Sequence, residues 1–356
     1  MQVLAGDIGG TKTLLAICEV TDGRSANTRS IGDATSAAPK VQVLKSQRYP
    51  SAKFPGLGAI CKQFEQEVSQ AMPPFAAFGV AGPVSGGRSH TTNLPWILDE
   101  KDLQQTIGIR SVRLANDFHT LALGIQSVAK DMLVTLNEGV RDPKGPWAIL
   151  GAGTGLGEAI ATIGGSGQRE VLATEGGHTS FAPRTELEIG ILRFLSRRFD
   201  HVSWERILSG DGLVNLAEAI SHVTGLQPSA ALAETITHDR VNAPAQITAG
   251  AQAGDALCKH ALELFCKLYG AEAGNFALKT LATGGVFVAG GIAPRIVDSL
   301  KDGKFREAFF DKGRMRALLE LMPVQIVLDT DAGLLGAAAL AAREAQRNSA
   351  LQEPRK

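Results

Sequence analysis

The sequence predicts an α/β protein of two domains built on mixed sheets, and three observations carry that expectation. The 356 residues suffice for about two domains of roughly 150 residues, each with a sizeable core. Short β-type runs interleave with helical stretches from end to end. A strand, a glycine-rich turn and a return strand occur in that order twice, once near the start and once near the middle.

Taken along the chain, residues 2–5 form a strand, 6–11 the first glycine turn, and 12–20 the return strand, ending at the Thr21–Asp22–Gly23 turn signal. Residues 57–68 place Leu57, Ile60, Cys61, Phe64 and Val68 at helical spacing. The apolar run 75–81, bounded by Pro and Gly, is a buried strand. Residues 112–115 are another strand, meeting Asn116–Asp117 and a helical stretch from Phe118. The second half repeats this order, with a strand at 147–150, a glycine turn at 151–157 and a return strand at 158–163. Thr185 and Glu188 have capping-box spacing at the head of a helix reaching about Phe199. A long helix covers about 255–281, a strand 286–289 meets Gly290–Gly291 and a further helix, and a strand at 324–328 precedes a closing helix from Asp331 to about Arg347. The charged residues that recur from Arg343 to Lys356 read as a solvated helix end and tail.

Composition removes several functions. Lys plus Arg and Asp plus Glu are 36 each, without the basic surplus of a nucleic-acid binder. Aromatic residues, at 5%, are too sparse for base-stacking platforms. No nucleic-acid partner is expected. The start MQVLAGD lacks the basic and apolar regions of a secretory signal, and no eighteen-residue apolar run suggests a membrane span. Cys18, Cys61, Cys258 and Cys266 form no CxxC pair, so zinc is not expected and a reducing cytoplasm is. Glycine stands out at 40, against about 25 at average usage.

The glycines sit where phosphates could be held. In Gly6-Asp7-Ile8-Gly9-Gly10-Thr11-Lys12, backbone N–H groups can approach a phosphate closely and Thr11 adds a hydroxyl. Thr11 before Lys12 excludes a Walker loop. Asp7 would repel bare phosphates, and makes sense with Mg²⁺ between them, held in part through water. The same residues also serve as a tight turn capped by Asp. Gly151-Ala152-Gly153-Thr154-Gly155-Leu156-Gly157 has the same setting; Leu156 at the third glycine position, and a strand where a helix should follow, exclude the dinucleotide fingerprint. Two such hairpins could serve one triphosphate in an interdomain cleft. Gly284 to Ile292, ending in Gly290–Gly291, offers bare backbone to a nucleoside, or simply close helix–strand packing.

With this order of motifs the chain resembles sugar kinases of the actin-like ATPase (ribonuclease H-like) fold. More closely, GDIGGTK, ANDF, GAGTGLG, EGGH, SWERILSGDGL, GGVFVAGGIAPR and AGLLGAA resemble, in sequence order, the bacterial-type glucokinase family from residue 6 to about 338. The CxCGxxGC segment of the related repressor/kinase (ROK) sugar kinases has no counterpart. The resemblance implies ATP and Mg²⁺ as cofactors, glucose as acceptor, and a homodimer. It also implies a small domain at 1–115, a large one at 116–331, and a last helix, about 332–350, that packs back on the small domain.

Phosphoryl transfer to a hydroxyl needs an aligned acceptor, charge neutralisation and a carboxylate to take the proton. Asp117 could be that base and Asn116 could hold a neighbouring hydroxyl; alone, Asn-Asp at this position is an ordinary helix cap. The resemblance assigns ANDF to catalysis. Glu175 and His178 can bind vicinal hydroxyls while Gly176–Gly177 let a sugar approach backbone. Glu205, otherwise a solvated first-turn residue, is a third sugar ligand by resemblance; Trp204 reads as a packing residue. Acceptors gathered at one small site suit a neutral polyol. Sugar-driven domain closure would keep water from the phosphate. A kinase for mannose or fructose is the neighbouring alternative. A non-catalytic sugar or nucleotide sensor would keep the glycine hairpins but have no use for the five polar residues together.

Overall fold

The structure, a computed structural model, describes residues 1–21, 39–91, 94–165 and 167–350. The turn expected at Asp22–Gly23 and the last tail residues, 351–356, lie outside the described residues. The chain begins with strands β1 (Gln2–Ile8), β2 (Lys12–Thr21) and β3 (Lys40–Pro50), helix α1 (Leu57–Val68) and strand β4 (Phe75–Val80). A small sheet of β5 (Val84–Ser85), β6 (Arg88–His90) and β7 (Ile97–Asp99) follows, then α2 (Glu100–Ile107), β8 (Ser111–Asn116) and α3 (Asp117–Gly124). Next come β9 (Leu133–Asn137), β10 (Trp147–Ala152), β11 (Leu156–Ile163) and β12 (Arg169–Thr174). The helices α4 (Glu186–Leu195), α5 (Gly210–Thr224), α6 (Ala230–His238), α7 (Ala243–Gln252) and α8 (Ala256–Thr280) precede β13 (Gly285–Ala289). The chain closes with α9 (Val297–Lys301), α10 (Lys304–Phe310), α11 (Arg316–Glu320), β14 (Val324–Val327) and α12 (Ala332–Ala350).

Two compact units result. One comprises Met1–Met132, Ala161–Ala173 and Asp329–Lys356, the other Leu133–Ile160 and Thr174–Leu328. Packing thus carries the first unit past residue 115, because α3 lies against α12. At their crossing, a methyl on Gly336 would land on the Thr120 carbonyl and one on Gly124 on the Ala332 carbonyl.

The first unit is built on a five-stranded sheet ordered β3-β2-β1-β4-β8. β1 is antiparallel to β2 and parallel to β4, which is parallel to β8. Side chains alternate across a strand, so Leu4 and Ile8 enter one core with Ile60, Phe64 and Phe78, while Val3 and Ala5 face Leu334, Ala337, Ala338 and Ala341 of α12. That helical spacing of small residues lets α12 lie close to the sheet. Asp7 shares parity with Val3 and Ala5, and therefore points toward the head of α12.

A further, six-stranded sheet is ordered β12-β11-β10-β13-β14-β9, with β10, β13 and β14 parallel and β9 antiparallel to β14. Ala148, Leu150, Val286 and Val288 share a core with Phe265 and Tyr269 of α8. α8 has Asp255 as its cap, accepting from Cys258 N–H at 2.9 Å, and ends on left-handed Leu281. All four cysteines are free and buried.

Local differences from expectation have simple causes. β1 runs on to Ile8, so the first turn is only Gly9–Thr11. The helix begun at Thr185 stops at Leu195. Its Glu188 carboxylate reaches back to Arg184 N–H at 2.7 Å and also pairs with Lys267 at 2.8 Å. After Gly290–Gly291 comes a 3₁₀ turn, Ala293–Arg295, before α9, since Pro294 interrupts helical bonding. β3 escaped the sequence reading because most of it is exposed and it lacks alternation. Among the described residues no helix is long and apolar enough to cross a membrane.

Candidate active site

In the first unit, sheet register assembles the residues. Ile8 pairs with Val80 and Val80 with Asn116, so the carboxyl ends of three adjacent parallel strands finish in one row. Ligands of open parallel sheets bind beyond such ends. The Gly9 N–H donates to Lys12 O at 3.0 Å, closing the turn and leaving Gly10 and Thr11 at its tip. Ile8 is a core residue and only its backbone can face a ligand. Gly6 answers to packing: a methyl there would come within 2.6 Å of Phe78 and 2.8 Å of Leu15.

Asn116 is the cap of α3. Its Oδ1 accepts from Phe118 N–H at 2.9 Å and His119 N–H at 3.3 Å, and its Nδ2 donates to Gly82 O at 3.2 Å. A second Nδ2–H is left to meet a hydroxyl. Asp117 Oδ1 accepts from Phe118 N–H at 2.8 Å. Burial raises its pKa above the usual carboxylate range, against the opposing pull of that N–H. Asp7 is pushed up to about 6, by burial first and then by the charges of Asp117 and Asp331, with Arg48 acting the other way. Arg48 itself pairs with Asp331 at 3.0 Å.

In the second unit the two remaining glycine segments lie side by side. Gly151 pairs with Ala289, so the hairpin Gly153-Thr154-Gly155 and Gly290–Gly291 extend from neighbouring parallel strand ends. Gly290 has φ +84, and a methyl on it would meet Ala152 O at 2.6 Å, so glycine is required there. Gly291 and Gly153 are open around the α-carbon. Gly210 N–H, at the head of α5, donates to Gly153 O at 2.9 Å.

The same hairpin supports the polar cluster. Leu156 N–H donates to Glu205 Oε2 at 3.1 Å, and Glu205 N–H to Gly177 O at 2.9 Å. His178 stands between two carboxylates, with Nε2 3.8 Å from Glu175 and Nδ1 3.9 Å from Glu205. Glu175 is 80% exposed and Glu205 28%, so both present oxygens to solvent. Trp204 is buried edge-on against Phe181, with centroids 5.2 Å apart. Sequence-distant Glu205 is thus brought beside Glu175 and His178. Among the described residues no group of three His, Cys, Asp or Glu side chains is placed to hold a metal.

Three residues near these sites escaped the sequence reading. Buried Ser51 donates to Gly9 O at 2.9 Å and stands 3.0 Å from Thr13 Oγ1, tying down the first turn. A lone serine forty residues away gives no signal. Asp331 precedes the AGLLGAA segment, a placement that could have drawn notice. Glu158 is a charged residue inside an otherwise apolar strand, which is a legible anomaly.

Two strand–turn–strand loops on separate mixed sheets, with a carboxylate at parallel strand ends, fit a sugar kinase of the actin-like ATPase fold. An ROK family glucokinase from Streptomyces griseus, solved with glucose and AMPPNP, shares the fold, with a TM-score of 0.59 at 22% identity over 96% of this chain and all of that one. A glucokinase structure from an Antarctic psychrotroph matches with TM-score 0.80 and 30% identity, covering 96% of this chain and 99% of that one. The glucokinase of Synechocystis sp. is 40% identical over 96% of this chain and 98% of its own length. The glucokinase family profile matches residues 4–344, and the chain belongs to that family.

Proposed function

We propose that the protein transfers the γ-phosphoryl group of ATP to the 6-hydroxyl of glucose, releasing ADP. The observation that carries this reading is the convergence of Glu175, His178 and Glu205 beside the second glycine hairpin, in a chain of the glucokinase family. Two carboxylates and an imidazole that accept and donate around one small space suit a neutral sugar and would repel a phosphorylated one. Asp117 takes the hydroxyl proton as the oxygen–phosphorus bond forms and the bond to ADP breaks. Burial, by raising its proton affinity, makes it a better base than an exposed aspartate. Asn116 orients a neighbouring hydroxyl through its second Nδ2–H. The tips at Gly10–Thr11, Gly153–Gly155 and Gly290–Gly291 offer backbone to phosphates and nucleoside.

Mg²⁺ fits the residues present. Asp7 carries a desolvated carboxyl beside Asp117 and Asp331, a repulsion that a cation relieves. Asp7 would hold the ion through water, as an ion that keeps several waters and takes phosphate oxygens requires. When bound it neutralises phosphate charge. Four free thiols fit a reducing cytoplasm, and a homodimer follows the family resemblance.

ADP release measured against a hexose panel tests the reading. Glucose should lead, and Asp117→Ala should lower kcat by about 10²–10⁴-fold while weakening sugar binding little. Sugar-independent ADP release, a preference for mannose or fructose, or a fully active Asp117→Ala protein would overturn it.

A further inference from the structure

Beneath the sugar turn lies a carboxyl that the reaction does not use. Glu158, on β11, is 2% exposed, and its Oε1 has no hydrogen-bond partner. Its Oε2 lies against Gly176, where even a methyl group would collide with it. Thr174, at the other side of the turn, donates from Oγ1 to the Glu158 carbonyl at 3.1 Å and accepts from Gly176 N–H at 3.2 Å. Gly176, beside Glu175 in the turn that leads to His178, therefore rests on the Glu158 carboxyl and on Thr174.

The surroundings disfavour charge there. From α8, fully buried Glu272 faces Glu158 with its own Oε1 lacking a hydrogen bond, and the phenol of Tyr269 is buried nearby. Lys279, 3.6 Å from Glu272 Oε1, is the cation that opposes them. Burial and the Glu272 charge together outweigh it, and Glu158 is pushed up to about 8.

We propose that Glu158 is a positioning residue, supporting the Glu175–His178 turn from beneath and making sugar binding sensitive to alkaline pH. The inference rests on the reading of that turn as the sugar site. Below the transition the neutral carboxyl packs against Gly176. Above it, a carboxylate without donors seeks water or Lys279, and the turn moves with it.

The experiment compares glucose KM and kcat of the wild type and Glu158→Gln from pH 6.5 to 9.5. Glutamine reproduces the shape of the neutral acid and cannot ionise. If only the neutral form supports binding, wild-type KM rises about tenfold between pH 7 and 9, while Glu158→Gln stays flat with a wild-type KM at pH 7. kcat should not distinguish the two proteins. An alkaline rise shared by both, or a raised KM in Glu158→Gln at pH 7, overturns the proposal. Thermal melting is a second readout independent of activity: the gain in Tm of Glu158→Gln over wild type should widen from pH 5 to pH 8. A constant gap, or a glutamine variant that fails to fold, overturns the neutral carboxyl. Glu175→Gln tests the sugar turn separately: unchanged glucose affinity there would reject the site, whereas the melting comparison would still judge Glu158.

Discussion

Asp7 shows how a residue proposed for the reaction can be costly to the fold. Its carboxyl ionises near 3.8 when free and near 6 in the folded chain. Between those values the folded protein holds a proton that the unfolded chain has released, so stability falls as pH rises through that window and stays lower above it. Asp7→Asn has no such proton to lose. Without metal at pH 7 it should stabilise the protein by about 1–2 kcal/mol after allowance for solvent screening at a partly exposed site, with the gain vanishing below about pH 4. Thermal melting across pH would show it, and the same variant should lose most ATP-dependent turnover. A variant no more stable than the wild type at pH 7 would mean that the charge is already compensated. The sequence singles out Asp7 and Asp117 because one sits beside a glycine and the other follows a strand end. The shared repulsion between them is not legible there, since more than a hundred residues separate them and only the parallel register joins them.

Elements were legible in proportion to their burial pattern. α1, with apolar residues at helical spacing, occupies the predicted span, and β4, buried at every position, differs by one residue. α5, with glycines at its head, and the short helices α6 and α7 have weaker periodicity; packing against α8 decides α5 and α7, and packing on α7 decides α6. The first glycine turn is legible as a motif, yet its rigidity is supplied from elsewhere. Each hydroxyl has one proton; Ser51 spends its own on Gly9 O, so Thr13 must donate to Ser51. Ser51→Ala strands both the Gly9 carbonyl and the Thr13 hydroxyl, at a cost of about 1–3 kcal/mol. We expect ATP KM to rise on the order of tenfold, equivalent to about 1.4 kcal/mol, with glucose KM unchanged. Steady-state kinetics at saturating glucose measures this. An unaltered ATP KM would mean that the backbone bonds from Gly9 N–H to Lys12 O and from Ser51 N–H to Thr11 O, at 3.1 Å, suffice to hold the hairpin.

For the whole molecule, sequence order carried the architecture because the functional loops are also the turns between strands. Twenty-one of the 40 glycines lie in or near such segments. Several serve close packing instead of ligands, as Gly6, Gly79 and Gly336 do, a distinction that only neighbouring atoms reveal. The repeated hairpins lead the sequence to expect two domains, divided near residue 115, whereas the grouping of residues 161–173 with the first unit has no local signal. A kinase must keep water from its phosphate donor, and sugar-driven closure would do so. Small-angle scattering should therefore show a smaller radius of gyration with glucose than without; an unchanged value would count against closure.

The four buried cysteines give the protein an internal record of its own opening. Cys18 and Cys61 lie in the first unit, Cys258 and Cys266 in the second. Burial pushes the first three thiols up to about 12, and Cys266 higher still. At pH 8 almost no thiolate is present in the native state, and alkylation must wait for local or global unfolding. Pulsed labelling followed by mass spectrometry would then time each unit separately. Whether the halves unfold together or one after the other would be written in which pair of sulfurs carries the label first.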